Sequence, residues 1–173
     1  MGITASVFLG IFSFAYFKKD EISNLCFGNK DLPDLKNVEL RRWSESTTWG
    51  GTIPEFGSHI VVPAGKTVLL DINPPELKTL EIAGTLVFAD QNIKLSVKNL
   101  LLTGVLQIGS PDKPYIYEAE INLVGKESRF LLQGGRFALF GIKDTDQRSP
   151  ASLYTTWGFA NFKNIILKQN ETN

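Results

Sequence analysis

A glycine held between two short runs of alternating apolar residues recurs four times in this chain. That recurrence constrains the fold more than any other feature. The copies are His59–Leu70 around Gly65, Leu80–Phe88 around Gly84, Leu100–Ile108 around Gly104 and Phe130–Leu139 around Gly134. Apolar residues that return every second position belong to strands, because successive side chains on a strand point to opposite faces. The glycines lie about 20 residues apart, with a gap of about 30 before the last, which is the spacing of stacked repeats. A single strand–corner–strand unit cannot bury its inward face alone, so such units stack and share one elongated core. Glycine suits the corner because it tolerates positive φ and lets neighbouring backbones approach closely.

These features lead to an all-β fold, a right-handed parallel β-solenoid with short glycine corners. The alternative is an antiparallel β-sandwich in which each glycine corner is a hairpin turn. Alternation identifies strands but not their partners, so both architectures stay open at this stage. Val, Leu, Ile and Phe are expected to point inward, with Glu81, Thr85 and Gln107 outward. The one helical signal is Ser149-Pro150, which would start a short helix within 145–157.

The chain divides into four parts. Residues 1–17 are apolar from Ile3 to Phe17, too short for a spanning helix but suited to a secretory signal peptide or anchor, with a cleavage site after Ala15. Residues 18–42 read as a polar, irregular lead-in with turns at Asn29–Asp31 and Leu32-Pro33. Residues 43–160 form the patterned domain, and 161–173 begin a further strand at Asn164–Lys168.

Lys plus Arg number 18, as do Asp plus Glu, so the formal net charge is zero. That balance gives no footprint for nucleic acid and no polybasic face for lipid; membrane contact would come only through the amino-terminal segment or a parent protein. Cys26 is the single cysteine and His59 the single histidine. An internal disulfide is therefore excluded, and neither a metal site nor a Ser–His–Asp triad has a second imidazole to draw on. Cys26 is a small buried hydrophobe or a thiol that pairs outside the chain. No phosphate loop or nucleophile elbow is present, so no cofactor, metal or catalytic residue is assigned. Glu55, Asp71, Glu81, Asp90, Asp112, Glu118 and Glu120 are scattered, and Glu118 with Glu120 would share one strand face.

The segment Trp43–Gly57, followed by Val62-Pro-Ala-Gly65, resembles the opening of the eight-glycine (G-eight) extracellular domain. Val68–Asp71, Leu80–Leu86, Gly104–Gly109, Ile121–Gly125 and Gly134-Gly135 continue the resemblance in order, from about Trp43 to Trp157. That family occurs in fibrocystin, fibrocystin-like proteins and the cell-surface hyaluronidase and hyaluronan-binding cell-migration proteins. The resemblance implies a secreted or cell-surface location and a place beside a parallel β-helix. Gly50, Gly51, Gly57, Gly65, Gly84, Gly104, Gly109, Gly125, Gly134 and Gly135 are its structural glycines. Two positions depart from the pattern: Ser58 stands where Asp usually follows the glycine, and Phe140 where a His often precedes the last glycine, here Gly141.

The implied role is a non-catalytic binding or structural module whose partner is a glycan such as hyaluronan or an extracellular protein. The alternative is the amino-terminal part of a hyaluronan-depolymerising enzyme, inactive without a following β-helix. Trp43, Trp49 and Trp157 are candidates for stacking on sugar rings, a role weighed against capping the end of the stack. Asn170-Glu-Thr172 is an N-glycosylation sequon.

Overall fold

The computed structural model describes residue 35, residues 37–141 and residues 165–170. The expectations for the first 17 residues, Cys26, the 145–157 helix and Trp157 lie outside that range. Eleven strands are found among the described residues: β1 (Leu40–Arg42), β2 (His59–Val62), β3 (Thr67–Leu70), β4 (Leu77–Ile82), β5 (Thr85–Phe88), β6 (Ile93–Leu102), β7 (Val105–Ile108), β8 (Ala119–Val124), β9 (Arg129–Leu132), β10 (Arg136–Leu139) and β11 (Ile165–Asn170). A single 3-10 turn, Ser46–Trp49, accompanies them.

The glycine corners are not hairpins. Strands on either side of a corner lie in different sheets, and every pairing is parallel, made with the strand one repeat away. One sheet has the order β1-β3-β5-β7-β10 and the other β11-β8-β6-β4-β2, with β9 also paired to β6. The register stacks like on like. Val68, Leu86, Leu106 and Phe137 are successive partners in the first sheet, and Ile60, Leu80, Leu100 and Phe130 in the second. The columns from both sheets meet in one core, where Leu70, Leu80, Ile82, Leu86, Leu95 and Leu106 are all fully buried. Each such leucine contributes roughly 1.5–3 kcal/mol of burial, offset by the entropy of fixing the chain.

The longest strand, β6, changes face part-way. Ile93, Leu95 and Val97 are buried and then Leu100 and Leu102, with Lys98 and Asn99 both outside the core. Two consecutive outward residues shift the alternation by one, so the sheet bends there. The strand above divides accordingly: β8 pairs with residues 93–97 of β6, β9 with residues 99–102, and Gly125–Ser128 bridge them. Below the bend, Lys78 breaks the alternation of β4 in the same way.

Two of the outward residues are nonetheless buried. Thr85 and Gln107 point away from the core but are buried, at 8% and 3% exposure, while Glu81 is half-buried as an outward residue. Alternation assigns a face without saying whether water reaches it. Thr85 lies beside Thr67, and Gln107 between Val87 and Ala138, and these row neighbours are themselves buried, whereas the row of Glu81 includes the exposed Val61. The irregular lead-in also ends early. Leu40–Arg42 form β1 on β3, a three-residue strand too short to carry an alternation signal.

The longer interval before the last corner is an insertion after β7, anchored by Tyr115. Its ring is buried, its hydroxyl donates to the Gln91 carbonyl, and its N–H donates to the Phe140 carbonyl at 2.6 Å. Burial, reinforced by the charges of Asp90 and Tyr117, pushes its hydroxyl pKa up to about 12. The neutral phenol therefore stabilises the fold fully below about pH 10, where a free tyrosine ionises, and this contribution is lost as pH rises toward the folded value. Alkaline titration of tyrosinate absorbance should show one phenol ionising late, near pH 12. That late step should be missing from Tyr115→Phe.

Candidate functional site

Two surfaces concentrate polar chemistry: the turn that follows β1, and the outer face of the bend in β6. The turn is built around Asp71, the residue directly after β3. The Ser44 N–H donates to one Asp71 carboxylate oxygen at 3.0 Å, and the Ser44 hydroxyl donates to the other at 2.7 Å. The Arg42 guanidinium reaches the second oxygen at 3.4 Å. Burial alone would push the Asp71 carboxyl up. The bonds from Ser44, from its own backbone and from Arg42 together outweigh that effect and hold it below the usual carboxylate range. A carboxyl with a lowered folded pKa stabilises above its unfolded value and loses that contribution as pH falls through the folded one. Asp71→Asn should therefore cost about 1.5 kcal/mol at neutral pH, the worth of a hydrogen bond to a charged group. The difference from the parent should shrink as acid neutralises Asp71 itself, below about pH 4. Urea denaturation at both pH values measures it.

The tryptophans divide at this turn. The Trp43 N–H donates to the Leu69 carbonyl at 2.8 Å, which carries the β1 ladder one residue further. Its side chain is fully buried in the core cluster. The sugar-stacking role weighed for Trp43 is corrected by that burial, since neither ring face meets solvent. Trp49 packs edge-on against it, with ring centroids 4.7 Å apart. The Trp49 indole donates to the Trp43 carbonyl at 2.8 Å, and its ring is half-buried. Thr48 closes the turn by donating its hydroxyl to the Arg42 carbonyl at 2.6 Å. At Ser58, the hydroxyl donates to the Glu55 carbonyl and accepts from the Glu55 N–H, locking the turn before β2. Phe140 uses its backbone, donating to the Ile108 carbonyl and accepting from the Tyr115 N–H.

The acidic residues are not gathered. Glu118 is exposed, whereas Glu120 accepts from Asn122 at 2.5 Å and pairs with Lys94 at 3.2 Å. Asp90 pairs with Lys113, raising the lysine pKa. His59 is exposed at the start of β2. Among the described residues, no three His, Cys, Asp or Glu side chains form a metal-binding group, and no helix is long and apolar enough to cross a membrane. The backbone of Asn170 ends β11 opposite Val124, and its side chain is outside the described range.

Of the structural glycines, Gly50, Gly51, Gly57, Gly65, Gly109, Gly125 and Gly134 have positive φ. Gly84, Gly104 and Gly135 instead sit against the carbonyls of the preceding repeat. An Asx ladder was not anticipated. The Asn73 side-chain oxygen accepts from the Lys94 N–H at 2.8 Å, and that of Asn92 from the Glu118 N–H at 3.0 Å. Each satisfies a strand-edge donor one repeat above. Its sequence signal is Asp-x-Asn just after a sheet strand, at Asp71–Asn73 and again at Asp90–Asn92.

The G8 domain model matches residues 48–143, over half of the chain and most of the two-sheet stack. The chain belongs to the G8 domain family. It is 46% identical to human Fibrocystin-L over 102 residues, covering 57% of this chain and 2% of that protein. Dog Fibrocystin is 39% identical over 89 residues, covering 49% of this chain and 2% of the relative. Protein rliB of Dictyostelium discoideum is 30% identical over 95 residues, covering 50% of this chain and 8% of the relative. The chain thus spans a small fraction of the length of these relatives. No solved structure matches it. For this G8 domain chain, the matched range begins within the Ser46–Trp49 turn and takes in the bend of β6.

Proposed function

We propose that this chain serves as a non-catalytic binding and structural module of a larger extracellular protein, with its two sheets coiling as a right-handed parallel β-solenoid. The burial of Trp43 carries the reading. A large ring closes the core at the first repeat and turns that end of the stack into a finished surface. Parallel strands joined through successive corners favour right-handed crossovers, which is why the coil takes that hand. The small share of Fibrocystin-L that the chain covers supports its place as one module among many. A secreted or cell-surface location follows from the signal-like apolar segment at Ile3–Phe17 together with the family.

Trp49 is the described tryptophan with ring surface left for a ligand, and a glycan is the partner it suits. The experiment titrates the full chain with hyaluronan and with unrelated polysaccharides, following tryptophan fluorescence and solution viscosity. Saturable quenching that Trp49→Phe abolishes, at constant viscosity, is the expected result. Absence of quenching would remove glycan from the reading and leave a structural or protein-binding module. A fall in hyaluronan viscosity would overturn the non-catalytic assignment.

A further inference from the structure

The outer face of the bend in β6 carries a shallow groove of ≈ 450 Å³, lined by Thr79, Lys98, Asn99, Leu101, Glu127, Arg129 and Leu131 among others. Its residues fall into two rows set by register. Thr79, Asn99 and Arg129 are successive partners across β4, β6 and β9, and two positions along the strands Leu101 partners Leu131. Beside the polar row, Lys98 is turned outward by the bend. Among the described residues neither Lys98 nor Arg129 has a carboxylate partner, and Glu127 is the one acid in the lining. Leu131 is 49% exposed. The aliphatic row beside these two cations is left uncovered, a surface that gains burial when a partner covers it.

We infer that the groove binds an extended acidic peptide segment carrying an aliphatic side chain. The two rows lie two residues apart along the strands, about 6.6 Å, and that is also the distance between alternate side chains of an extended peptide. A peptide running along the strand direction places a carboxylate at Arg129 and Lys98 and, two residues on, an aliphatic group against Leu131 and Leu101. The Asn99 amide and Thr79 hydroxyl lie between, within reach of its backbone. A polysaccharide fits less well. No aromatic face lines the groove for a sugar ring to stack on, and a polyanion leaves the leucines without a role. The inference stands on residues separate from the Trp49 surface.

The test measures fluorescence anisotropy of a fluorescein-labelled peptide of repeated Glu-Ser-Leu-Ser, which sets Glu and Leu two residues apart on one face, against the full chain. Control peptides replace Glu by Gln or Leu by Ser. The Glu/Leu peptide should bind saturably and weaken with salt, with both controls weaker. The double variant Lys98→Glu/Arg129→Glu should lose about tenfold or more in affinity, equivalent to roughly 1.4 kcal/mol. Glu127→Lys should tighten binding several-fold. Thermal melts of both variants matching the parent show that the effect is local, because all three side chains point outward. Equal binding of all three peptides overturns the inference. So does an unchanged affinity in the double variant, or hyaluronan binding that the double variant abolishes while the peptide does not bind.

Discussion

Gly104→Ala is expected to be among the most damaging single substitutions in this chain, costing roughly 3 kcal/mol or more. The reason is space rather than backbone angle, since Gly104 does not have a positive φ. A Cβ at this position would lie 2.0 Å from the Gly84 carbonyl oxygen and 2.5 Å from that of Ala83. Both are backbone atoms held by the corner ladder. The Gly104 N–H donates to the Ile82 carbonyl at 2.7 Å, and the Val105 N–H to the Gly84 carbonyl at 2.9 Å. Making room for a methyl would separate two repeats at the corner and stretch those bonds, and β6 and β7 would have to follow. Gly65→Ala is the informative comparison. Gly65 has φ of +74° but open space around its Cβ, so it should cost only about 1–2 kcal/mol, the penalty of a left-handed conformation. Chemical denaturation followed by circular dichroism would rank the two. Equal losses would mean that the corners are governed by φ and that close stacking of repeats plays no part.

This contrast also marks how far the sequence could be read. The four corners and their alternating flanks were legible because glycine and period-two burial leave direct traces. Val68, Leu86 and Leu106 could be placed inward before any pairing was known. Pairing itself was not legible, since a corner such as Ala83-Gly84 serves a hairpin or a turn between sheets equally well. Only the register, with Leu86 beside Val68 and Leu106 rather than Leu80, separates those arrangements. Alternation places Thr85 and Gln107 outward but does not report their burial, because no local pattern says whether an outward face is covered. The bend in β6 had left a trace that went unused. Val97-Lys-Asn-Leu100 contains two polar residues in succession within an otherwise alternating strand, and these put Lys98 and Asn99 together on the outer face. The Asp71 network escaped for another reason: Ser44 and Asp71 are 27 residues apart, and no local rule links them.

Trp43→Ala is the second substitution expected to have a large effect, costing about 3–5 kcal/mol as a buried tryptophan truncated to a cavity. The loss should exceed that of a comparable side chain in the middle of the stack, where repeats on both sides can partly collapse into the space. At Trp43 the backbone is tied to β3 through the Leu69 carbonyl, and the ring packs edge-on against Trp49 of the Ser46–Trp49 turn. Removing the indole withdraws the edge contact to Trp49 and leaves the turn anchored mainly by Asp71. Trp43→Phe separates packing from polarity. The Trp43 indole N–H is buried with no hydrogen-bond partner among the described residues, so phenylalanine removes an unsatisfied donor while keeping most of the apolar volume. That variant should cost no more than about 1.5 kcal/mol. Urea unfolding monitored by circular dichroism gives both values, and Trp49 emission, read in a Trp157→Phe background, reports the turn. A large Ala effect, a small Phe effect and red-shifted Trp49 emission in Trp43→Ala alone would establish the ring as the seal of this end of the stack. If both variants cost the same, what matters at this position is the indole N–H, and the buried donor must find a partner that the described residues do not supply.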